Sequence, residues 1–317
     1  MVIARPFHKF ANLNQWDETR FININIDDIK YFMVKEDGSM VHPFIIDDNI
    51  FYATKMGVTD TITQMEKEIN NIKDIEKYCR KQIKNGYTPI FEYVSPNNKI
   101  VLKYDEPKLI LTALRHMETG EYVDIHYGET PYGLKIMDNI DVVKTHQFNK
   151  SFERIIDDID VMHDIEGFVI RMNNGHMFKI KTNEYVAIHK AKEQILSDRL
   201  IIKMMYDNTI DDVYSKLDEA DRKHVSSVID EYNKLFSIKR DAINVLMDKI
   251  CRSVEGNAKQ LAIIYMNKFK DKQLAKFMFE YNKHGDINDY MVSYAIGHLN
   301  QNIRYEEFKE WLKGEVE

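Results

Sequence analysis

Residues Gly167 to Met172 and His176 to Lys181 are two runs of strand-forming residues held apart by Asn173-Asn174-Gly175, a pattern that folds as a β-hairpin. Its register decides which side chains meet. With Asn174 and Gly175 as a two-residue loop, Ile170 lies opposite Lys179 and Phe168 opposite Lys181. Glu166, two residues further back, then shares their face, because side chains alternate with period two. A four-residue loop, or a two-residue loop centred one position earlier, keeps that parity, and a three-residue loop reverses it. The other face carries Gly167, Val169, Phe178 and Ile180, a set suited to a core. The charged face admits two readings: a solvated surface with a salt bridge, or a binding site.

Strand signals dominate the chain up to about residue 190. Tyr31-Phe32-Met33-Val34 leads into an Asp37-Gly38 turn, Met40 to Ile46 reads as the return strand, and Ile50 to Met56 as a third strand after Asp47-Asp48-Asn49. Ile62, Met65, Ile69, Ile72, Ile75, Cys79 and Ile83 then recur at three- and four-residue spacing, which predicts one helix ending near Gly86. Further strands are expected at Pro89 to Ser95, Ile100 to Leu102 and Lys108 to Leu114, and a helix at Ser151 to His163. From Ile195 onward the period is helical, through Val225, Val228, Ile229, Tyr232 and Leu235 to Leu261, Ile264 and Tyr265. The expectation is an α+β domain over residues 1–190 followed by an all-helical domain over 191–317.

Composition narrows the setting. The 317 residues are 44% hydrophobic, enough for two domains of ordinary size. Two cysteines, Cys79 and Cys251, cannot make a disulfide framework, which points to a reducing cytosol. No apolar run reaches the ~18 residues of a membrane span, and no signal-peptide pattern opens the chain. The net charge of −7 argues against a non-specific nucleic-acid coat but leaves room for a local basic groove.

Lys35, after four apolar residues and before Asp37-Gly38, is the residue with most chemical promise. A lysine held at a turn beside a buried strand becomes a nucleophile when its ammonium loses a proton, which desolvation favours. The pentapeptide alone is more often a surface lysine before a common turn. Glu92 stands in Ile90-Phe91-Glu92-Tyr93-Val94, where a carboxylate needs a partner if buried and none if it faces outward. Nucleotidyl transfer from a triphosphate requires a nucleophile, phosphate-binding cations and carboxylates for magnesium, and the chain holds all three.

Taken in order, these segments resemble the covalent nucleotidyltransferase superfamily of DNA ligases, RNA ligases and capping enzymes. The likeness is strongest to the RNA ligase 1 family of tRNA-repair enzymes from T-even bacteriophages. Lys35-Glu36-Asp37-Gly38-Ser39 resembles its nucleotidylation motif, and Phe51 to Gly57, with Lys55, the motif that follows. Phe91-Glu92-Tyr93-Val94 resembles the nucleoside-binding acidic motif, and Ile165-Glu166-Gly167-Phe168-Val169 the metal-associated one. Phe178-Lys179-Ile180-Lys181 resembles the phosphate-binding lysine pair. Arg5-Pro6-Phe7-His8-Lys9-Phe10 resembles a segment whose lysine reaches the nucleotide phosphates, and Tyr185 matches an aromatic position past the pair. Five motifs in order are far more specific than one.

The resemblance implies an antiparallel-sheet, ATP-grasp-like ligase domain and a helical domain that selects RNA. It implies catalytic roles for Lys35, Asp37, Glu166, Lys179 and Lys181. Nucleotide contacts would come from Lys9, Lys35, Gly38, Lys55, Glu92, Lys179, Lys181 and Tyr185, and Mg2+ ligands from Glu166 and Asp37. The implied activity is an ATP-dependent RNA ligase acting through a lysyl-adenylate. It would seal nicked tRNA or other structured RNA ends as a monomer, in a phage-infected host cytosol and away from membranes. In the helical part, Lys190, Lys192, Arg199 and Lys203 form either a basic stripe for RNA or an ordinary solvated face. The family's further N-terminal segment, with a phosphate-binding arginine, has no match here, and neither Arg5 nor Arg20 fits its motif. A truncated, weakly active or inactive RNA-binding relative is therefore the alternative reading; DNA ligases and guanylyltransferases are disfavoured because no OB-type strand pattern follows.

Overall fold

A computed structural model describes residues 2–125, 140–253 and 272–315. The chain divides into two compact units, residues 1–189 and 190–317. Leu261, Ile264 and Tyr265 lie outside the described residues.

Strands β2 (Ile29–Val34) and β3 (Ser39–Ile46) are only four residues apart, yet they enter different sheets. The return hairpin expected at Asp37-Gly38 does not form. β2 pairs with β10 (Gly167–Met172) and β9 (Thr145–His146), whereas β3 pairs with β4 (Asn49–Ala53) and β5 (Tyr87–Val94). Lys35 to Gly38 therefore carry the chain from one sheet to the other. The first sheet runs β1 (Ala11–Asn12), β11 (Met177–Lys181), β10, β2, β9. The second runs β4, β3, β5, β6 (Lys108–His116), β7 (Tyr122–Val123), with β8 (Asp141–Val142) beside β6. Pairing is antiparallel except for β1 with β11 and β8 with β6.

The period-two pattern sorts the side chains into layers. Met33, Val169 and Met177 of the first sheet share one core with Val41, Phe91 and Leu111 of the second. Phe32, Phe168, Ile170, Phe178 and Ile180 point the other way, against Phe152, Ile155 and Ile159 of α3 (Phe152–Asp160). Lys179 and Lys181 alternate with Phe178 and Ile180, and so fall on the face that looks toward the second sheet.

The single helix expected from Ile62 to Ile83 is two helices, α1 (Asp60–Glu68) and α2 (Ile72–Lys84). Ile69, with φ −81° and ψ 106°, breaks the run. Glu68 accepts hydrogen bonds from the Tyr93 and Ser95 hydroxyls and the Asn97 amide, which ties the end of α1 to the end of β5. That tertiary anchor overrides the local period.

After α4 (Asn183–Ile195), the second unit contains α5 (Asp198–Tyr206), α6 (Ile210–Tyr214), α7 (Glu219–Ser253), α8 (Lys272–His284), α9 (Asn288–His298) and α10 (Asn302–Lys313) among the described residues. Ile243, Met247, Phe277, Met291 and Phe308 are central in its larger core. Three of the four cations of the expected basic stripe are engaged within this unit. Lys192 pairs with Asp221 at 2.7 Å, Lys203 with Asp207 at 2.8 Å, and Arg199 donates to the Leu299 carbonyl at 2.6 Å.

Candidate active site

Glu166 is the centre of the site. Its carboxylate, 2% exposed, lies 2.7 Å from Lys35 Nζ through Oε2 and 2.9 Å from Lys181 Nζ through Oε1. β2 and β10 bring Lys35 there: Val34 pairs with Phe168, and the Lys35 amide donates to the Gly167 carbonyl at 2.9 Å. The hairpin supplies Lys181, but not by the register expected from the sequence. The Met172 amide bonds the His176 carbonyl, so the loop is Asn173 to Gly175, three residues long. Parity is reversed: Val169 lies opposite Lys179 and Gly167 opposite Lys181. Strict alternation would put Glu166 on the far face. Instead it precedes β10, where Gly167 adopts φ +145°, and the pleat does not extend to it. A Cβ on Gly167 would also overlap the Ile180 carbonyl, so the turn to the lysine face needs glycine.

Lys179 is next along the same face. Burial, with the neighbouring charges of Lys35 and Lys181, holds its ammonium below the usual lysine pKa; Lys55 acts in the same sense and Glu166 opposes. Its Nζ sits 5.7 Å from the Phe10 ring. Lys55 itself is exposed on the turn closed by Thr54 and Gly57 and makes no ion pair among the described residues.

Asp37, expected beside a metal, has a different environment. It is buried, Oδ2 accepts from the Val101 and Leu102 amides at 2.8 and 2.7 Å, and Oδ1 accepts from the Tyr185 hydroxyl at 2.6 Å. With three of its roughly four acceptor sites taken by protein donors, Asp37 anchors the crossover. The strand expected at Ile100 to Leu102 does not form because two of its amides serve this carboxylate. Tyr185 is therefore buried at the anchor, with Lys181 Nζ 4.8 Å over its ring. Gly38 packs against the Tyr93 carbonyl so closely that any Cβ would overlap it.

Two residues that sequence reasoning left without a role complete the crossover. The Tyr104 hydroxyl accepts from the Asp37 amide at 2.9 Å and donates to Glu36 Oε2 at 3.1 Å. Burial raises the Glu36 carboxyl pKa, against the Tyr104 hydrogen bond. No local pattern marks Tyr104, since its role depends on a contact 67 positions away.

From the second sheet, Glu92 pairs with Met40 in register and feels the charges of Lys35, Glu166 and Asp37. Burial pushes its carboxyl up to about 8, with Lys35 pulling it back and Glu166 adding to the rise. Glu92 thus faces inward, in an environment that favours a nearby cation or donor.

Lys9 is the expected residue that the fold does not bring to Glu166. In the parallel β1–β11 register Ala11 matches Phe178, which sets Lys9 level with His176, about 16 Å from Lys181 at ~3.3 Å per residue. It is exposed, with Nζ 5.9 Å from the Trp16 ring.

No group of three or more His, Cys, Asp or Glu side chains among the described residues makes a ready-made metal cage. Magnesium needs only one or two carboxylates beside phosphate and water. Glu166 and Glu92 are hard oxygen donors within electrostatic reach of one another, and their chemistry fits such an ion. Among the described residues no helix is long and apolar enough to cross a membrane.

Comparison with known proteins gives the chain's family. A family model described as RNA ligase matches residues 1–186. A protein of Thermovibrio ammonificans named "Putative RNA ligase" is 27% identical over 254 residues, covering 74% of this chain and 64% of that protein. The "Putative bifunctional polynucleotide kinase/RNA ligase" of Autographa californica nuclear polyhedrosis virus is 27% identical over 156 residues, 49% of this chain and 20% of that one. The chain thus spans less than two thirds of the length of either relative. Among solved structures, Naegleria gruberi RNA ligase matches at 20% identity and TM-score 0.37 with PPi, covering 51% of this chain and 52% of that one. A mutant of it with ATP and Mn matches at 16% and 0.41, covering 58% of each chain.

Proposed function

Because the chain belongs to the RNA ligase family, we propose that it is an ATP-dependent RNA ligase whose Lys35 carries the adenylate. The single observation behind this reading is the Lys35–Glu166–Lys181 arrangement, a primary amine and a second cation on one buried carboxylate. Attack begins once the Lys35 ammonium has lost its proton to solvent. The free amine then forms a bond to the α-phosphorus of ATP, and the bond to pyrophosphate breaks. Lys179 and Lys181 neutralise charge that builds on the phosphate oxygens. Glu92 and Glu166 are the carboxylates that would hold a magnesium ion, which when bound supplies further neutralisation of those oxygens. AMP passes next to an RNA 5′-phosphate, and a 3′-hydroxyl displaces it to close the phosphodiester.

Asp37, Tyr185 and Gly38 act in this reading by fixing the crossover that carries Lys35, and Lys55 by adding charge near Lys179. Residues 1–190 form the adenylyltransferase domain, and the helical residues 191–317 select RNA with broken, structured ends, nicked tRNA among them. Sealing of a nicked stem-loop RNA by the purified chain, with Lys35→Ala as control, tests the proposal. Binding of that RNA without sealing would identify an inactive relative instead.

A further inference from the structure

Away from Glu166, at the loop end of the β10–β11 hairpin, a cleft of ≈ 850 Å³ gathers His8, Arg115, Arg171 and His176. Among the described residues none of these four forms an ion pair, although Glu18, Asp28 and Glu121 also line the cleft. The guanidinium carbons of Arg115 and Arg171 lie 4.9 and 4.7 Å from the Tyr122 ring centroid, so one ring organises both cations. His8 Nδ1 lies 2.8 Å from the Tyr122 hydroxyl. The imidazole is held below its usual pKa by burial and then by Arg115, His176 and Arg171.

Glu18, Asp28 and Glu121 offset part of the charge without pairing with these side chains, which leaves the two guanidinium groups open to an anion. Arg171 makes the point most directly. It is 5% exposed, yet among the described residues only one of its five N–H donors makes a hydrogen bond, to the Tyr122 carbonyl at 3.0 Å. A buried guanidinium with idle donors is costly without a ligand, and phosphate is the anion that guanidinium geometry fits best. Trp16, half-buried, stands in the same cleft and offers a flat apolar face.

Position links the cleft to Lys35. Arg171 pairs with Met177, Val169 with Lys179 and Gly167 with Lys181, so Arg171, Lys179 and Lys181 share one face of the hairpin. The row runs about 13 Å from Gly167 to Arg171 at ~3.3 Å per residue.

We propose that this cleft is a binding site for single-stranded RNA. Arg115, Arg171 and His176 take its phosphates, Trp16 stacks one base, and the cationic row directs the strand's end toward Lys35. The proposal rests on the RNA ligase reading for its substrate and on the cleft for its place.

The test uses the full chain in two assays: equilibrium binding of a 5′-phosphorylated single-stranded RNA without ATP, and self-labelling with α-labelled ATP without RNA. Trp16→Ala should weaken RNA binding roughly tenfold, within the range of a base-stacking contact. Arg171→Gln should also flatten the salt dependence of binding by about 0.7 in log–log slope, the loss of one phosphate contact. His176→Ala, at an exposed position beside the hairpin loop, should also weaken RNA binding without disturbing buried structure. Labelling by ATP should stay within about twofold of wild type in all three, by the same separation of contacts. Unchanged RNA affinity in Trp16→Ala and His176→Ala overturns the proposal. So does loss of ATP labelling with RNA binding intact, which would assign the cleft to the triphosphate. A wild-type chain that binds RNA through the cleft but takes no label from ATP would refute the ligase reading and leave the cleft standing.

Discussion

Lys35 Nζ lies 2.7 Å from Glu166 Oε2, a contact between residues 131 positions apart in the chain. Lys35 follows a strand of the first sheet and Glu166 precedes the strand beside it, so the pair is fixed by the β2–β10 register. Glu166 is nearly inaccessible, while Lys35 and Lys181 keep 23% and 26% of their side-chain surfaces exposed. The arrangement places an amine at a surface that a nucleotide can reach and anchors it from beneath.

Glu166→Gln removes the charge shared by two lysines. A fully buried pair broken this way costs roughly 3–5 kcal/mol; the partial exposure of both lysines lowers the expectation to about 1–3 kcal/mol. The urea midpoint should fall with an unchanged slope. Self-labelling by ATP should fall more than about tenfold, as for loss of a group that acts in the transition state.

Tyr185→Phe takes one of three donors from the buried Asp37 carboxylate. A hydrogen bond to a charged group contributes roughly 1.5–3 kcal/mol, and two remaining amides put the loss near the lower end. Asp37→Asn should destabilise more, because all three donors lose a charged acceptor. Thermal unfolding of the two variants beside wild type measures both.

The hairpin shows how far residues alone can be read. Glu166, Lys179 and Lys181 do converge, but their parity depends on loop length, and Asn173-Asn174-Gly175 fits two- and three-residue turns equally well. The three-residue loop moves Val169 to the lysine face, and glycine at 167 restores Glu166 to the cluster. Tyr31–Val34 was legible as a strand, yet its partners were not. Asp37-Gly38 has the chemistry of a hairpin turn and serves as a crossover between sheets, since pairing is set by tertiary packing. Val101 and Leu102 look like a strand because both are β-branched or apolar; their amides go to Asp37, which only the folded chain reveals.

Glu92 predicts a pH dependence of stability. Its folded pKa of about 8 lies above the ordinary 4.5, so between those values the folded state binds more protons than the unfolded state and stability falls as pH rises. Burial gives Glu36 the same sign. Glu92→Gln removes the first contribution. Its unfolding midpoint should match wild type near pH 4.5 and exceed it increasingly toward pH 8; parallel curves would contradict the inward placement of Glu92.

Gly38→Ala should disrupt the crossover. The new Cβ meets the Tyr93 carbonyl, a backbone atom that cannot move without breaking the Ser39–Tyr93 pairing. Overpacking of this kind costs about 1–3 kcal/mol. The variant should lose that much in denaturant titration and lose self-labelling as well, whereas Gly175→Ala, with nothing within 4 Å of its Cβ, should show only the strain of its left-handed backbone.

The most direct measurement is the site of covalent labelling. The chain is incubated with α-labelled ATP and a divalent cation, digested, and the labelled peptide sequenced. An acid-labile adduct on Lys35, absent from Lys35→Ala and not formed with GTP, is the predicted result. Label on any other residue, or none from ATP in a folded chain, would contradict the account.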